Sequence, residues 1–231
     1  MTYVIFTVVN MPSQKLVGVA FLSLIIIAAG SIGTMVWWIT VVDQPDYVYV
    51  EIKEYEGVDL SSISAFRENS IRGPQHIDID DYSLSITGLV NNNLTYTYDE
   101  IVNNFALQKK VITLHCVEGW SVTIFWEGFL VKDLIEAAGV APSANTMIFY
   151  AVDSYSTALP LDFIIDNNIM IAYKMNNVTL PPERGFPFQL VAETKLGYKW
   201  IKWLTSIELS DSDDYLGYWE RRGYPNDANV R

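Results

Sequence analysis

Residues 111–128 carry a strand and its exit in one run: Val111-Ile-Thr-Leu-His-Cys-Val-Glu-Gly-Trp-Ser-Val-Thr-Ile-Phe-Trp-Glu-Gly128. Val111, Thr113, His115 and Val117 alternate with Ile112, Leu114 and Cys116, which is the two-residue period of a strand. Gly119 breaks the run, and a second apolar run starts at Ser121. The stretch therefore asks for a sheet with a tight turn at its edge. That turn holds the only cysteine of the chain, Cys116, next to one of its two histidines, His115. A thiol at a strand end beside a glycine turn can face a pocket, and as a thiolate it is a soft ligand for a soft metal. The same residue can also simply fill space, because free cysteine is among the most buried residue types.

Composition narrows the options. A net charge of −12 excludes nucleic-acid binding through a basic surface and disfavours charge-driven docking on anionic lipid. One cysteine excludes an intramolecular disulfide. Half of the 231 residues are hydrophobic, enough for a sizeable core. From Leu16 to Val42 no residue is charged, and the run ends with Trp37 and Trp38 near its exit. A membrane span needs ~20 apolar residues for a ~30 Å core, and tryptophans suit its interface. A cleaved signal peptide has an apolar region of only ~7–15 residues. Lys15 before the run and Asp43 and Asp46 after it favour an inside amino terminus. The expected organisation is a cytoplasmic terminus over 1–15, a transmembrane helix over 16–42, a stalk over 43–64 and a domain over 65–231. That places the chain in the cell membrane as a single-pass protein with its domain extracytoplasmic.

Within the domain, Tyr82–Gly88 alternates as a strand, and Thr97 with Glu100 makes a capping box before a short helix. Phe129–Ala138 reads as a helix stopped by Gly139. Thr146–Val152, Ile169–Tyr173, Phe188–Ala192 and Trp200–Leu209 read as strands, Asp153–Thr157 as a polar loop and Asn176-Asn177 as a turn. Many short strands with few helices predict an α+β fold with mixed or antiparallel sheets. His76 and His115 read as loop or packing residues, and Ser121 has no histidine–acid partner pattern that would make it a nucleophile. Asn93-Leu-Thr95 and Asn177-Val-Thr179 are glycosylation triplets of the kind common by chance.

Four pieces lie in a fixed order: Cys116 with Glu118-Gly-Trp-Ser121, Asp153-Ser-Tyr-Ser-Thr157-Ala-Leu-Pro160, Leu180-Pro-Pro-Glu-Arg-Gly-Phe-Pro-Phe188, and Gly197-Tyr-Lys-Trp-Ile-Lys-Trp203. With the tail Gly217–Pro225, they resemble the sulfite oxidase family of molybdopterin-dependent oxidoreductases. The branch they resemble includes catalytic subunits of periplasmic methionine-sulfoxide reductases. The resemblance runs from about Arg67 to Pro225. It implies a sulfite-oxidase-like molybdopterin-binding fold with short helices, and a molybdenum-molybdopterin cofactor whose metal is ligated by Cys116. It further implies Thr157 and Tyr155 beside the metal as catalytic residues. The cofactor-binding residues it implies are Asn69, Arg72, Gly73, Cys116, Thr157, Arg184, Gln189, Lys199, Trp200, Ile201 and Lys202. Arg184 stands where family members often carry histidine or asparagine. Gln189 stands where an arginine often contacts the cofactor, and Arg184 is the candidate to restore that charge.

The resemblance implies two-electron oxygen-atom transfer on a small molecule, with reduction of a sulfoxide or a related S- or N-oxide as the expected direction. Sulfite oxidation is disfavoured, since the carboxyl-terminal dimerisation domain typical of sulfite oxidases is not seen. No haem-attachment motif is present, so electrons are expected from a haem- or quinone-linked membrane subunit or a cytochrome. Two other functions compete: a tethered binding module of the same fold without catalysis or cofactor, and a structural surface protein. The last predicts no pocket where Cys116, Thr157 and Lys199–Lys202 converge.

Overall fold

Alternating and continuous apolar runs become strands here wherever a neighbour can cover them. The computed structural model describes residues 21–28, 31–38 and 50–230. Residues 49–231 form one compact unit and residues 1–48 another. The expected membrane helix over 16–42 lies largely outside the described residues. Of it, Phe21–Ala28 and Ser31–Trp38 are described as two strands paired antiparallel. Among the described residues no helix is long and apolar enough to cross a membrane.

The larger unit is built on two sheets. The first contains β1 (Ser83–Gly88), β2 (Leu94–Thr97), β5 (Thr146–Ala151), β6 (Ser156–Pro160) and β10 (Leu204–Ser210), in the order β6-β5-β10-β1-β2. Strand β10 runs parallel to β1 and antiparallel to β5, so this sheet is mixed. The second contains β3 (Gln108–His115), β4 (Ser121–Leu130), β7 (Met170–Met175), β8 (Val178–Thr179) and β9 (Gln189–Val191). Its order is β8-β7-β4-β3, with β9 also paired to β7. Three short helices join the strands: α1 (Tyr98–Asn104), α2 (Val131–Glu136) and α3 (Leu161–Asp166). One hydrophobic core, with Leu84, Ile124, Phe149, Met170, Phe188 and Leu204 among its buried members, unites both sheets. The α+β expectation with mixed sheets and short helices matches this architecture.

The differences from expectation are local. Thr97 caps α1 with the full capping box, its hydroxyl accepting from the Glu100 amide at 3.2 Å. Helix α2 begins at Val131, not at Phe129, because Phe129 and Leu130 still pair with Ile171 and Met170 across β7. The pairing is close: a Cβ on Gly128 would lie 1.9 Å from the Ile171 carbonyl oxygen, so only glycine fits. The polar loop after β5 is shorter than expected, since Ser156 and Thr157 already belong to β6 and face Tyr150 and Phe149. The last strand starts at Leu204, not Trp200. Gly197–Lys199 forms a single 3-10 turn and Trp203 takes a positive φ of 54°, which interrupts extension before Leu204.

Part of the expected stalk lies on the domain. Leu60 is buried, the Tyr55 ring stacks on Phe125 at 4.0 Å, and the Ser61 amide donates to the Thr123 carbonyl at 2.8 Å. The fastening point is Glu51. One oxygen accepts from the Ile63 amide at 2.7 Å and the Asn176 side-chain amide at 3.1 Å. The other accepts from Lys53 at 2.9 Å and Ser62 at 3.1 Å. Asn176 and Asn177, the expected turn, both take positive φ.

Candidate active site

Strand β3 ends at His115 and delivers Cys116 into the turn predicted for it. The Cys116 amide donates to the Trp120 carbonyl at 2.9 Å, and the Gly119 amide returns to the Cys116 carbonyl at 3.1 Å. Gly119 closes this turn at φ 88°, a conformation that L side chains rarely adopt. The half-buried thiol borders a cleft of about 370 Å³. That volume is in the range of a small-molecule or cofactor site, roughly 300–1,000 Å³.

Three segments meet at the cleft: 66–71, the Cys116 turn, and 197–203. Asp153, Tyr155, Arg184, Gln189, Trp219 and Tyr224 complete the wall. The first segment is held by side chains. Arg184 donates from Nε to the Ile63 carbonyl at 3.0 Å and from its two terminal nitrogens to the Arg67 and Phe66 carbonyls at 3.1 and 2.6 Å. Its guanidinium also lies 3.7 Å over the Phe66 ring, and Phe66 packs against Trp120 of the cysteine turn. The segment so positioned carries Asn69, whose side-chain amide reaches the Cys116 sulfur at 4.0 Å.

The electrostatics follow from this packing. Burial pushes the Cys116 thiol above its usual range, and the Glu118 carboxylate adds to that. The backbone N–H groups of Glu118 and Val117 and the Asn69 amide pull the other way. A metal binding this sulfur would displace its proton. Burial raises the Tyr155 phenol well above its ordinary value, helped by Glu220 and Asp153, and its hydroxyl donates to the Tyr198 carbonyl at 2.6 Å. Tyr198, pushed up to about 12 chiefly by burial, donates to the Pro225 carbonyl at 2.6 Å. Burial lowers Lys202, which pairs with Glu68 on the cleft wall.

The cleft thus brings together Asn69, Cys116, Tyr155, Arg184, Gln189, Trp200, Ile201 and Lys202 of the sequence candidates. Arg72 and Gly73 follow the lining segment without lining the cleft themselves. Thr157 and Lys199 are fully buried away from it. The Thr157 hydroxyl donates to Glu220 Oε1 at 2.8 Å. Lys199 donates to the same oxygen at 2.5 Å, to the Ala158 carbonyl at 3.0 Å and to Asn226 Oδ1 at 3.0 Å, so its three protons are matched inside the protein. Tyr155 lines the cleft, but its hydroxyl is committed to a carbonyl. Arg184 spends its donors on the chain's own backbone. Two contributors escaped the sequence. Glu68 carried only the weak signal of a carboxylate between Arg67 and Asn69, and Glu220 sat in a polar tail with nothing to mark it as buried.

Comparison with known proteins gives the family of the chain. The family model described as the oxidoreductase molybdopterin binding domain matches residues 71–219. The chain belongs to the molybdopterin-binding oxidoreductases. This oxidoreductase is 33% identical over 152 residues to YuiH of Bacillus subtilis (strain 168), named an uncharacterized oxidoreductase; the match covers 65% of this chain and 76% of YuiH. It is 30% identical over 151 residues to YedZ1 of Azospira oryzae, provisionally named a protein-methionine-sulfoxide reductase subunit, covering 65% and 56% of the two chains. A nitrate reductase [NADPH] of Fusarium oxysporum is 28% identical over 176 residues, which span 64% of this chain and 19% of that enzyme. The sulfane dehydrogenase SoxCD from Paracoccus pantotrophus shares the fold, with a TM-score of 0.58 at 22% identity over 61% of this chain and 41% of that one.

The cofactor of this oxidoreductase is molybdenum-molybdopterin. The residues present fit such a group. One sulfur borders a cleft of suitable volume, beside an amide donor and aromatic walls. Among the described residues no cluster of three or more His, Cys, Asp or Glu is placed to hold a metal alone. A metal held by Cys116 would need its other ligands from a bound group, and a pterin dithiolene would supply them.

Proposed function

We propose that this oxidoreductase reduces a sulfoxide or a related S- or N-oxide by two-electron oxygen-atom transfer. The observation that carries the proposal is the Cys116 thiol on the wall of the 370 Å³ cleft, with Asn69 directed at its sulfur. The name of YedZ1 supports the direction of the reaction. When bound, the cofactor supplies the oxygen-atom transfer and the two electrons.

The chain's own residues bind, orient and exclude water. Cys116 would hold the metal through its sulfur. Asn69 would steady the Cys116 sulfur, while Gln189 and the Trp200–Lys202 segment, which line the same cleft, would hold the pterin and its phosphate. Arg184 acts one step back, fixing the segment that carries Asn69. Phe66, Trp120, Trp219 and Tyr224 give the cleft aromatic walls, which suit an apolar substituent on a sulfur or nitrogen oxide and keep bulk water from the reacting centre. Tyr155 and Tyr198 supply fixed rings, since both phenols donate to carbonyls.

The charge-free run 16–42 supports attachment to the membrane through a single span, with the domain outside. The electron donor is then a haem- or quinone-linked membrane subunit or a cytochrome at the same face. The test is expression in a molybdopterin-competent host, molybdenum analysis and a screen of sulfoxides and N-oxides with a reduced viologen dye. We expect near-stoichiometric molybdenum and dye oxidation with at least one sulfoxide. Cys116→Ala should lose turnover by at least a thousandfold with its far-UV spectrum unchanged. Full turnover in that variant, or no oxidation by any S- or N-oxide, would overturn the reading. Protease accessibility of the domain in intact cells tests its sidedness.

A further inference from the structure

The cleft carries cations whose charge is already directed elsewhere. Arg184 is bound to three carbonyls and a ring. Arg67 is largely exposed and lies 3.7 Å from the Glu118 carboxylate. Lys199, the other lysine of its segment, is enclosed with Glu220. Lys202 differs. It lines the cleft with a side chain only 14% exposed, and its ammonium meets one oxygen of Glu68, a residue 24% exposed on the same wall. The other Glu68 oxygen accepts from the Ser70 hydroxyl at 3.1 Å. Lys202 also donates to the Glu183 carbonyl at 3.2 Å and lies 4.4 Å over the Trp203 ring, so its position is set independently of Glu68. A carboxylate thus occupies two donors, one of them charged, that an anionic ligand of this cleft would use.

We propose that Glu68 competes with the phosphate end of the cofactor for Lys202, so that this one carboxylate sets how tightly the cleft takes an anion. Exchange of phosphate for Glu68 keeps the Lys202 charge matched and passes the Ser70 hydroxyl to the incoming oxygen. The pressure for such a device is visible in the cleft: Gln189 brings no charge, Lys199 is enclosed and Arg67 is largely exposed, which leaves Lys202 as the shielded cation able to change partner among the described cleft residues. The exchange also frees Glu68 from the wall while Arg184 keeps its grip on the backbone at 63–67. The segment 66–71 then remains in place through its other ties, with the Glu68 tie released. This inference takes the cleft as the cofactor site assigned above, and it concerns loading instead of turnover.

The test is a calorimetric titration of the full chain, purified in detergent from a host that makes no molybdopterin, with inorganic phosphate at low ionic strength. Glu68→Gln should bind phosphate at least tenfold more tightly than the unaltered chain. Lys202→Met should abolish saturable binding, alone and combined with Glu68→Gln. Glu118→Gln, which removes another cleft carboxylate, should change affinity less than threefold. Equal affinities in the unaltered and Glu68→Gln proteins would overturn the proposal. So would equal tightening by Glu118→Gln, or undiminished binding in the Glu68→Gln, Lys202→Met double variant. Glu68→Ser is read by the same criteria and replaces Glu68→Gln if that variant does not fold. A chain that fails these tests yet loads molybdenum normally leaves the proposed reaction standing. A chain that loads no molybdenum in any background removes the reaction instead.

Discussion

Lys199 and Glu220 sit against one another beneath the cleft with no exposed side-chain surface. Glu220 also takes the Thr157 hydroxyl, while its second oxygen makes no hydrogen bond. Removing one member of such a pair leaves a charge in a medium that solvates it poorly. Glu220→Ala should therefore destabilise the domain by about 3–5 kcal/mol, and replacing both residues with leucine or methionine should recover part of that loss. Denaturant unfolding of the three proteins checks both statements. The pair also shows where residue-level inference stops. Cys116 was legible because it is the only cysteine and stands at a strand end beside a glycine. Lys199 and Lys202 stand three positions apart with identical chemistry, yet one faces Glu220 of the tail and the other Glu68 of the approach segment. Those pairings join residues far apart in sequence, so no local pattern separates the two lysines.

Among the elements, the segment over 50–63 shows how a piece whose own ladder is only the short Glu54–Tyr55 and Val58–Asp59 pair is kept in place. Burial alone would raise the Glu51 carboxyl. The Lys53 ammonium, the Ile63 amide, the Asn176 amide and the Ser62 hydroxyl outweigh it, and the group falls from 4.5 to about 2. A carboxyl depressed by folding stabilises above its ordinary value, and that contribution fades as pH falls from 4.5 towards 2. The unfolding midpoint should thus drop as pH falls from about 4.5 towards 2, and Glu51→Gln should flatten that part of the profile. An unchanged slope in the variant would assign the acid sensitivity elsewhere. Elements with a chemical start signal were readable, as with Thr97 and Glu100 at α1. The join between β4 and α2 was not, because the pattern loses its period once a strand is buried on both faces. From Ile124 to Leu130 every residue is buried, and the chain passes from strand to helix with no breaker.

At the scale of the whole molecule, two sheets share one core, and the cleft lies where their connecting segments meet. The domain begins earlier than residue 65, since Glu51, Leu60 and the Ile63 carbonyl all take part in its packing. A chain starting at residue 49 should unfold in one cooperative transition. One starting at residue 65 should be less stable by at least the burial of Leu60, about 1.5–3 kcal/mol. Calorimetry on the two truncations distinguishes them, and equal stability would mean that the segment is only draped on the surface. The class of fold was readable from many short strands. Which strands run parallel was not, because the pairing of β10 with β1 joins residues more than a hundred positions apart.

One thiol serves the entire polypeptide. Under an oxidant it has no intramolecular mate, and its half-buried place leaves it within reach of another molecule's thiol. With the metal held by Cys116 as proposed, dimers crosslinked at Cys116 and metal-bearing monomers would be mutually exclusive products of the same atom, and uptake of molybdenum would double as protection against oxidative crosslinking.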